Sequence, residues 1–186
     1  MFQNHPMNRR EFMRRSGLGT AGTVALTSGD RIVWASTPGS AAVPPSDRVR
    51  VAVIGIGMRA LGVAGSFTYV PGCELVAVAD VYDSRLTRAK ELFGEKLETT
   101  KDYRRILERK DIDAVLIAAP DHWHKRMVIE AMDAGKDVYC EKPMTYTIDE
   151  GFEIIEAEKR TKKILYIGSQ FVNSPLMDMA KKLISD

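Results

Sequence analysis

An acid and a base stand side by side in the segment DVYCEKPMT, residues 137–145, at the end of a short apolar run. Pro143 follows Glu141 and Lys142 and has no N–H to donate to a strand ladder, so the strand is expected to stop here. A lysine in this position can hold a hydroxyl group and ease its deprotonation, while the carboxylate orients the lysine or a ligand. The alternative is a solvated surface ion pair beside a loop proline. The surrounding elements decide between the two interpretations.

A glycine-rich turn lies in VRVAVIGIGMRALGVAGSF, residues 49–67. The apolar, largely β-branched run at residues 49–54 predicts a buried parallel strand, and a helical pattern follows from residue 58 to about residue 69. Between them, Gly55 and Gly57 begin the pattern G-x-G-x-x-A. The first glycine permits a tight turn, the second lets a pyrophosphate approach the backbone, and the helix N-terminus faces the phosphate charge.

The second apolar run, CELVAVAD, ends at Asp80, which lies 23 residues after Gly57. An acidic residue at about this distance usually receives the ribose hydroxyls of a bound dinucleotide. A carboxylate there repels a 2′-phosphate, so NAD is favoured over NADP as the cofactor. The alternative is that Asp80 caps the next helix, although Asp83 lies closer to that helix and is the better candidate for its cap.

Strands and helices continue to alternate along the rest of the chain. DAVLIAAP predicts a strand that ends at Pro120, and the helix after it is expected to be capped by Asp121. KDVYC and KILYIGSQ predict two more strands, separated by a helix over residues 147–159. This order predicts an α/β fold with a doubly wound parallel sheet that binds its ligand at the carboxyl ends of the strands. Glu141 and Lys142 would then lie on the same edge as the glycine-rich turn.

Two histidines near the start of a helix suggest a metal site at first sight. His122 and His124 are two residues apart and do not share a helix face, and the sequence offers no third ligand nearby, so no metal is predicted. His124 is instead expected to line the nicotinamide pocket, with Trp123 packing beside it. Gln170, at the end of the last strand, either offers its amide to this pocket or is a simple turn residue.

Residues 1–42 are expected to form an export signal and linker. NRREFMR resembles the twin-arginine signal, with Arg9 and Arg10 as the pair, and predicts a periplasmic protein that the twin-arginine translocase carries across the membrane already folded. The alternative is a disordered basic tail. This segment has five arginines against two acidic residues, so the remainder of the chain is nearly neutral and no nucleic-acid partner is expected. Cys73 and Cys140 are expected to be buried thiols.

The motifs together resemble the Gfo/Idh/MocA oxidoreductases, the family of glucose–fructose oxidoreductase and inositol dehydrogenase. The resemblance rests on VAVIGIGMRA, DAVLIAAPDHWH, AGKDVYCEKPMT and YIGSQ. It implies a Rossmann domain that binds NAD or NADP and an activity on a sugar or polyol hydroxyl. By position, the resemblance implies that Gly55, Gly57, Met58 and Arg59 line the pyrophosphate, that Asp80 binds the ribose, that Pro120, Trp123, His124, Glu141 and Gln170 contact the nicotinamide side, and that Lys142 is the catalytic lysine.

Family members also carry a second α/β domain, which closes over the substrate and often forms a dimer. The expected organisation is therefore a Rossmann domain over residues 47–173 and the start of a crossover to an absent C-terminal domain over residues 174–186. A homo-oligomer is expected for the full-length form. Two alternatives stay open: an NAD-dependent glycosidase of the N-acetylgalactosaminidase type, whose members tend to lack a lysine at the position of Lys142, and a non-catalytic nucleotide-binding fragment.

Overall fold

The computed structural model describes residues 43–169 and 175–185. In these ranges, strands and helices alternate as the sequence predicts. The strands are β1 (Val49–Ile54), β2 (Cys73–Ala79), β3 (Glu98–Thr100), β4 (Ala114–Ile117), β5 (Asp137–Glu141) and β6 (Leu165–Gly168). The helices are α1 (Met58–Phe67), α2 (Asp83–Phe93), α3 (Arg104–Glu108), α4 (Asp121–Asp133), α5 (Ile148–Thr161) and α6 (Pro175–Ser185). The export signal predicted for residues 1–42 and Gln170 lie outside the described residues.

The six strands form one sheet in the order β3-β2-β1-β4-β5-β6, and every neighbouring pair is parallel. The chain therefore winds outward in one direction from β1 to β3 and in the other from β4 to β6. This confirms the predicted doubly wound fold. It also places a crevice between the carboxyl ends of β1 and β4, where strand order reverses and such folds bind their ligands.

The apolar strands are continuous because both faces of the sheet are covered. Along β1, Val53 faces a core cluster shared with α1 and α2, whereas Ala52 and Ile54 face a second cluster shared with α3, α4 and α5. Residues on both faces are fully buried, so a polar alternation would have left polar groups in the core. This is the physical basis of the predicted parallel sheet.

The helix starts differ from the predicted caps. Asp83 and Asp121 are the first residues of α2 and α4, and the N-cap positions belong to Tyr82 and Pro120, without a side-chain cap in either case. The capping prediction is therefore wrong for both aspartates, because each helix begins one residue earlier than a cap at these positions would require. Their carboxylates still lie in the first turn, where the helix dipole favours a negative charge. In contrast, Thr147 and Glu150 form a complete capping box at α5.

Two buried side chains with titratable groups, Lys136 and Cys140, lie directly before and within β5. Lys136, after α4, donates from Nζ to the backbone oxygens of Arg109 and Ile112, and its burial lowers its pKa. Cys140 in β5 is a buried free thiol, and burial together with the charge of Glu141 raises its pKa to about 12. It therefore stays protonated and is a packing residue rather than a nucleophile.

Cys73 is also a free thiol, but it is only partly buried. Within residues 43–169 and 175–185, helices are too short or too polar to cross a membrane.

Candidate cofactor-binding site

The two glycines of the turn after β1 have different environments. Gly55 has a φ of +86°, and a Cβ atom there would lie 2.8 Å from the backbone oxygen of Ala118. Gly57 is the N-cap of α1 with a φ of −74°, and the nearest atom to its Cβ position is Nη1 of Arg85 at 3.8 Å. Gly55 is thus required by the close approach of the loop after β4. Gly57 instead leaves open space at the start of α1, so a ligand could approach the backbone N–H groups there.

Asp80 connects this turn to the end of β2. Its buried carboxylate accepts hydrogen bonds from the backbone N–H of Ile56 at 2.9 Å and from that of Tyr82 at 3.0 Å. The guanidinium of Arg85 lies 3.4 Å from the same carboxylate. Asp80 therefore holds the middle residue of the glycine-rich turn and keeps a negative charge beside the crevice.

A cavity of about 380 Å³ opens at the carboxyl ends of β1, β2 and β4. Its lining consists of Ile54, Gly55, Ala79, Asp80, Val81, Tyr82, Arg85, residues 101–104, residues 118–120, Trp123 and Met127. Asp80, Pro120 and Trp123 were predicted site residues, and the cavity brings them together with Gly55. Tyr82, Arg85 and residues 101–104 also line the cavity but were not predicted as site residues. Their position directly after β2 and β3 was the available signal, because all parallel strands end at one edge.

The acid–base segment lies at the end of β5, on the same edge of the sheet. Glu141 is the last strand residue, and its side chain is 5% exposed. One of its oxygens accepts a hydrogen bond from Nε of Arg59 at 2.8 Å, and the other accepts from the backbone N–H of Lys142 at 3.3 Å. The Lys142–Pro143 peptide is cis, as the sequence allows, and Lys142 is exposed.

His124 occupies a more enclosed position than the sequence predicts for a pocket-lining residue. It is 1% exposed, and its ring nitrogens lie 2.6 Å from the backbone oxygen of Pro143 and 2.8 Å from that of Ala119. The imidazole thus joins the loop after β4 to the turn that carries Lys142. Contact with a nicotinamide stays a prediction for His124, whereas the exposed Trp123 faces the cavity directly.

Arg59 and Met58 begin α1, at the open side of the glycine-rich turn. Met58 is exposed, and Arg59 makes the ion pair with Glu141 described above. Among the described residues, no group of three or more His, Cys, Asp and Glu side chains is arranged to hold a metal ion.

Fold and site together define a class of protein. A parallel sheet with the strand order of dinucleotide-binding domains carries a glycine turn, an acid at the end of β2 and a cavity at the switch of strand order. The open space above Gly57 fits a pyrophosphate, and the acid fits a ribose. These features are those of an α/β domain that binds a dinucleotide.

Residues 49–169 match the family described as "Oxidoreductase family, NAD-binding Rossmann fold" (GFO_IDH_MocA), and the chain belongs to this family. A curated relative, the alpha-N-acetylgalactosaminidase of Shewanella oneidensis, is 34% identical over 176 residues. The match covers 86% of this chain and 38% of the relative, so the chain spans less than half of that protein's length.

Two solved structures show the same fold. The myo-inositol 2-dehydrogenase of Lactobacillus plantarum superimposes with a TM-score of 0.69 and 30% identity, over 74% of this chain and 41% of that one. KijD10, a 3-ketoreductase of Actinomadura kijaniata solved with NADP, superimposes with a TM-score of 0.68 and 27% identity, over 74% of this chain and 42% of that one. These similarities confirm the family resemblance and the Rossmann fold.

Proposed function

We propose that this chain is the cofactor-binding part of an NAD-dependent oxidoreductase that acts on a hydroxyl group of a sugar or polyol. The observation that carries the proposal is the shared edge of the sheet, where the open Gly57, the Asp80 cavity and Lys142 all lie. The similarity to a myo-inositol dehydrogenase supports a polyol or sugar as the substrate class.

The residues of the turn and the cavity would hold the dinucleotide. The backbone at Gly57 and the N-terminus of α1 would receive its pyrophosphate, because free N–H groups and the helix dipole favour an anion there. Asp80 would accept hydrogen bonds from the adenosine ribose, and Trp123 and Pro120 would pack against the bound molecule. When bound, the nicotinamide supplies the hydride acceptor or donor for the reaction.

Lys142 would act on the substrate hydroxyl. Its exposed ammonium can donate a hydrogen bond to the hydroxyl oxygen and stabilise negative charge on it, and the neutral amine can take the proton. Glu141 and His124 hold the turn on either side of this lysine through the Lys142 N–H and the Pro143 oxygen. Lys142 would thus supply one proton-transferring group at the edge where the cofactor would lie.

The charges around the cavity support NAD rather than NADP. Three basic side chains border the cavity and could attract a 2′-phosphate. Each is already paired with an aspartate: Arg85 with Asp80 at 3.4 Å, Lys101 with Asp83 at 2.8 Å and Arg104 with Asp102 at 3.3 Å. A 2′-phosphate would have to displace these carboxylates, whereas ribose hydroxyls can donate to Asp80.

Calorimetric titration of the 186-residue chain with NAD and NADP tests the proposal. We expect NAD to bind more tightly than NADP. Asp80→Asn should weaken NAD binding about tenfold and narrow the difference between the two cofactors, because a charged acceptor is lost. Lys142→Ala should leave NAD affinity unchanged. Asp133→Asn, at an exposed aspartate paired with Arg160 on the far side of α4, is the matched control. A wild-type chain that binds neither cofactor would contradict the proposal.

A second candidate is an NAD-dependent glycosidase, which the 34% identity to an alpha-N-acetylgalactosaminidase favours. Incubation of the chain and NAD with an aryl N-acetylgalactosaminide and, separately, with a polyol distinguishes the candidates. Release of free sugar without net NADH supports the glycosidase, and net NADH from a polyol supports the dehydrogenase. NAD binding without either product supports a non-catalytic nucleotide-binding module.

We further propose export by the twin-arginine translocase to the periplasm, supported by Arg9 and Arg10 in NRREFMR. Replacing both arginines by lysine should retain a reporter fusion in the cytoplasm. A reporter that is still exported after this change would exclude this route. A homo-oligomer of the full-length form stays a proposal that light scattering can test.

A further inference from the structure

Arg59 lies between the two halves of the proposed site. It is the second residue of α1, two residues after the open Gly57, and its side chain reaches the end of β5, 82 residues further along the chain. There its Nε donates to a carboxylate oxygen of Glu141 at 2.8 Å. One side chain thus connects the glycine-rich turn with the segment that carries Lys142.

The two ends of this ion pair differ in their exposure to solvent. The side chain of Arg59 is 47% exposed, whereas that of Glu141 is 5% exposed. Glu141 also accepts the backbone N–H of Lys142 at 3.3 Å, so its carboxylate is fixed on the protein side by two donors. The guanidinium is planar and has five N–H donors, so one edge can face the carboxylate while another remains directed toward the crevice.

The side chain of Tyr139 is a neighbour of both Arg59 and Glu141. Burial raises the pKa of its hydroxyl, the charge of Glu141 raises it further, and the nearby guanidinium of Arg59 acts in the opposite direction. The tyrosine ring also packs against Phe67 of α1, at a centroid distance of 6.5 Å. Arg59 therefore lies beside Tyr139 and is fixed at the end of β5 by its ion pair with Glu141, while part of its side chain stays open to solvent.

We propose that Arg59 is a positioning residue that bridges the diphosphate of the cofactor and the Glu141–Lys142–Pro143 turn. This inference rests on the proposed function, because it requires a dinucleotide at Gly57. The diphosphate binds the outer edge of the guanidinium, and this holds the inner edge on Glu141. Glu141 in turn holds the Lys142 N–H, so occupation of the phosphate site orders the turn that presents the lysine.

ADP is the probe for this bridge, because it contains the adenosine and the diphosphate but cannot contact Lys142 through a nicotinamide. In the 186-residue chain, Arg59→Met should weaken ADP binding about tenfold and leave adenosine binding unchanged. Arg88→Met, at an exposed arginine of α2 paired with Glu91, is the matched control. Thermal unfolding verifies that each variant is folded.

Hydrogen exchange at the Lys142 amide measures the transmitted effect. Saturating ADP should slow this exchange about threefold in the wild type, and should not change it in Arg59→Met or in Glu141→Gln. Arg59→Lys keeps a positive charge beside the buried Glu141, so this variant should remain folded. Arg59→Lys should bind ADP more tightly than Arg59→Met does. ADP should nevertheless no longer slow exchange at the Lys142 amide in this variant, because one ammonium cannot present the two edges of a guanidinium.

The outcomes separate this inference from the proposed function. A wild type that binds NAD and ADP while Arg59→Met binds ADP equally well would overturn the bridge and leave the proposed function intact. If ADP still slowed hydrogen exchange at the Lys142 amide in Arg59→Met or in Glu141→Gln, the phosphates would act without the bridge. That result would also overturn the inference. A wild type that binds no nucleotide would remove the proposed function itself.

Discussion

Replacing Gly55 and Gly57 by alanine, one at a time, separates the glycine that the fold requires from the glycine that a ligand requires. Gly55 has a φ of +86°, and a Cβ atom there would lie 2.8 Å from a backbone oxygen of the loop after β4. The left-handed conformation and the forced shift of that backbone should together cost about 3 kcal/mol. For a domain of this size, we expect Gly55→Ala to lower the Tm by roughly 10 °C.

Gly57→Ala should behave in the opposite way. Its φ of −74° suits any residue, and the nearest atom to the added Cβ is 3.8 Å away. The loss of a tolerated N-cap residue should cost no more than about 1 kcal/mol. The methyl group would nevertheless occupy the space that a pyrophosphate needs, so NAD binding should weaken by roughly tenfold or more.

Circular dichroism melts and calorimetric titration with NAD measure the two effects on the same samples. The expected pattern is an unstable Gly55→Ala and a stable Gly57→Ala with poor NAD affinity. Gly62→Ala in α1, where the added Cβ meets no atom within 4 Å, is the control. Unchanged NAD affinity in Gly57→Ala would show that no phosphate passes over this residue and would refute the reasoning.

Two further predictions concern stability. Lys136→Met should lower the free energy of unfolding by about 2 kcal/mol, because two buried backbone oxygens lose their donor, whereas Lys110→Met at an exposed lysine should have no effect in the same urea titration. Burial and a hydrogen bond to Glu130 raise the pKa of Tyr103 to about 12. The protonated hydroxyl therefore contributes fully to the stability of the protein below the unfolded-state pKa of about 10, and this contribution is lost as the pH rises toward 12. Tyr103→Phe should remove this part of the alkaline loss of stability, Tyr146→Phe should not, and equal pH profiles would contradict the assignment.

The order of elements could be read from the chain because the signals are local. Continuous apolar runs mark strands that are buried on both faces, and the G-x-G-x-x-A pattern marks the turn after β1. The acid at the end of β2 also followed from spacing, since Asp80 directly follows that strand. Helix starts were less predictable: Asp83 and Asp121 have the residue type of a cap, but the backbone places them one position inside the helix.

Contacts between distant residues could not be read in the same way. The Arg59–Glu141 ion pair joins residues 82 positions apart, and no pattern in the sequence around either residue indicates its partner. The enclosure of His124 depends on two backbone oxygens from separate loops. The pairing of Lys101 with Asp83, 18 residues apart, appears only when the ends of β2 and β3 lie side by side. The pairs Arg85–Asp80 and Arg104–Asp102, in contrast, join near neighbours in the chain.

The amino-acid sequence by itself determined the parallel α/β fold and the edge of the sheet where the site lies, because these follow from apolar periodicity and from glycines at fixed spacing. The family was indicated by the resemblance of its motifs, above all AGKDVYCEKPMT. Only the tertiary structure decided which glycine is open to a ligand, which charges around the cavity are neutralised, and how the turn with Lys142 is held. The physical reason is range. Strand and turn formation depend on neighbours along the chain, whereas burial and ion pairing depend on side chains that the crossovers bring together.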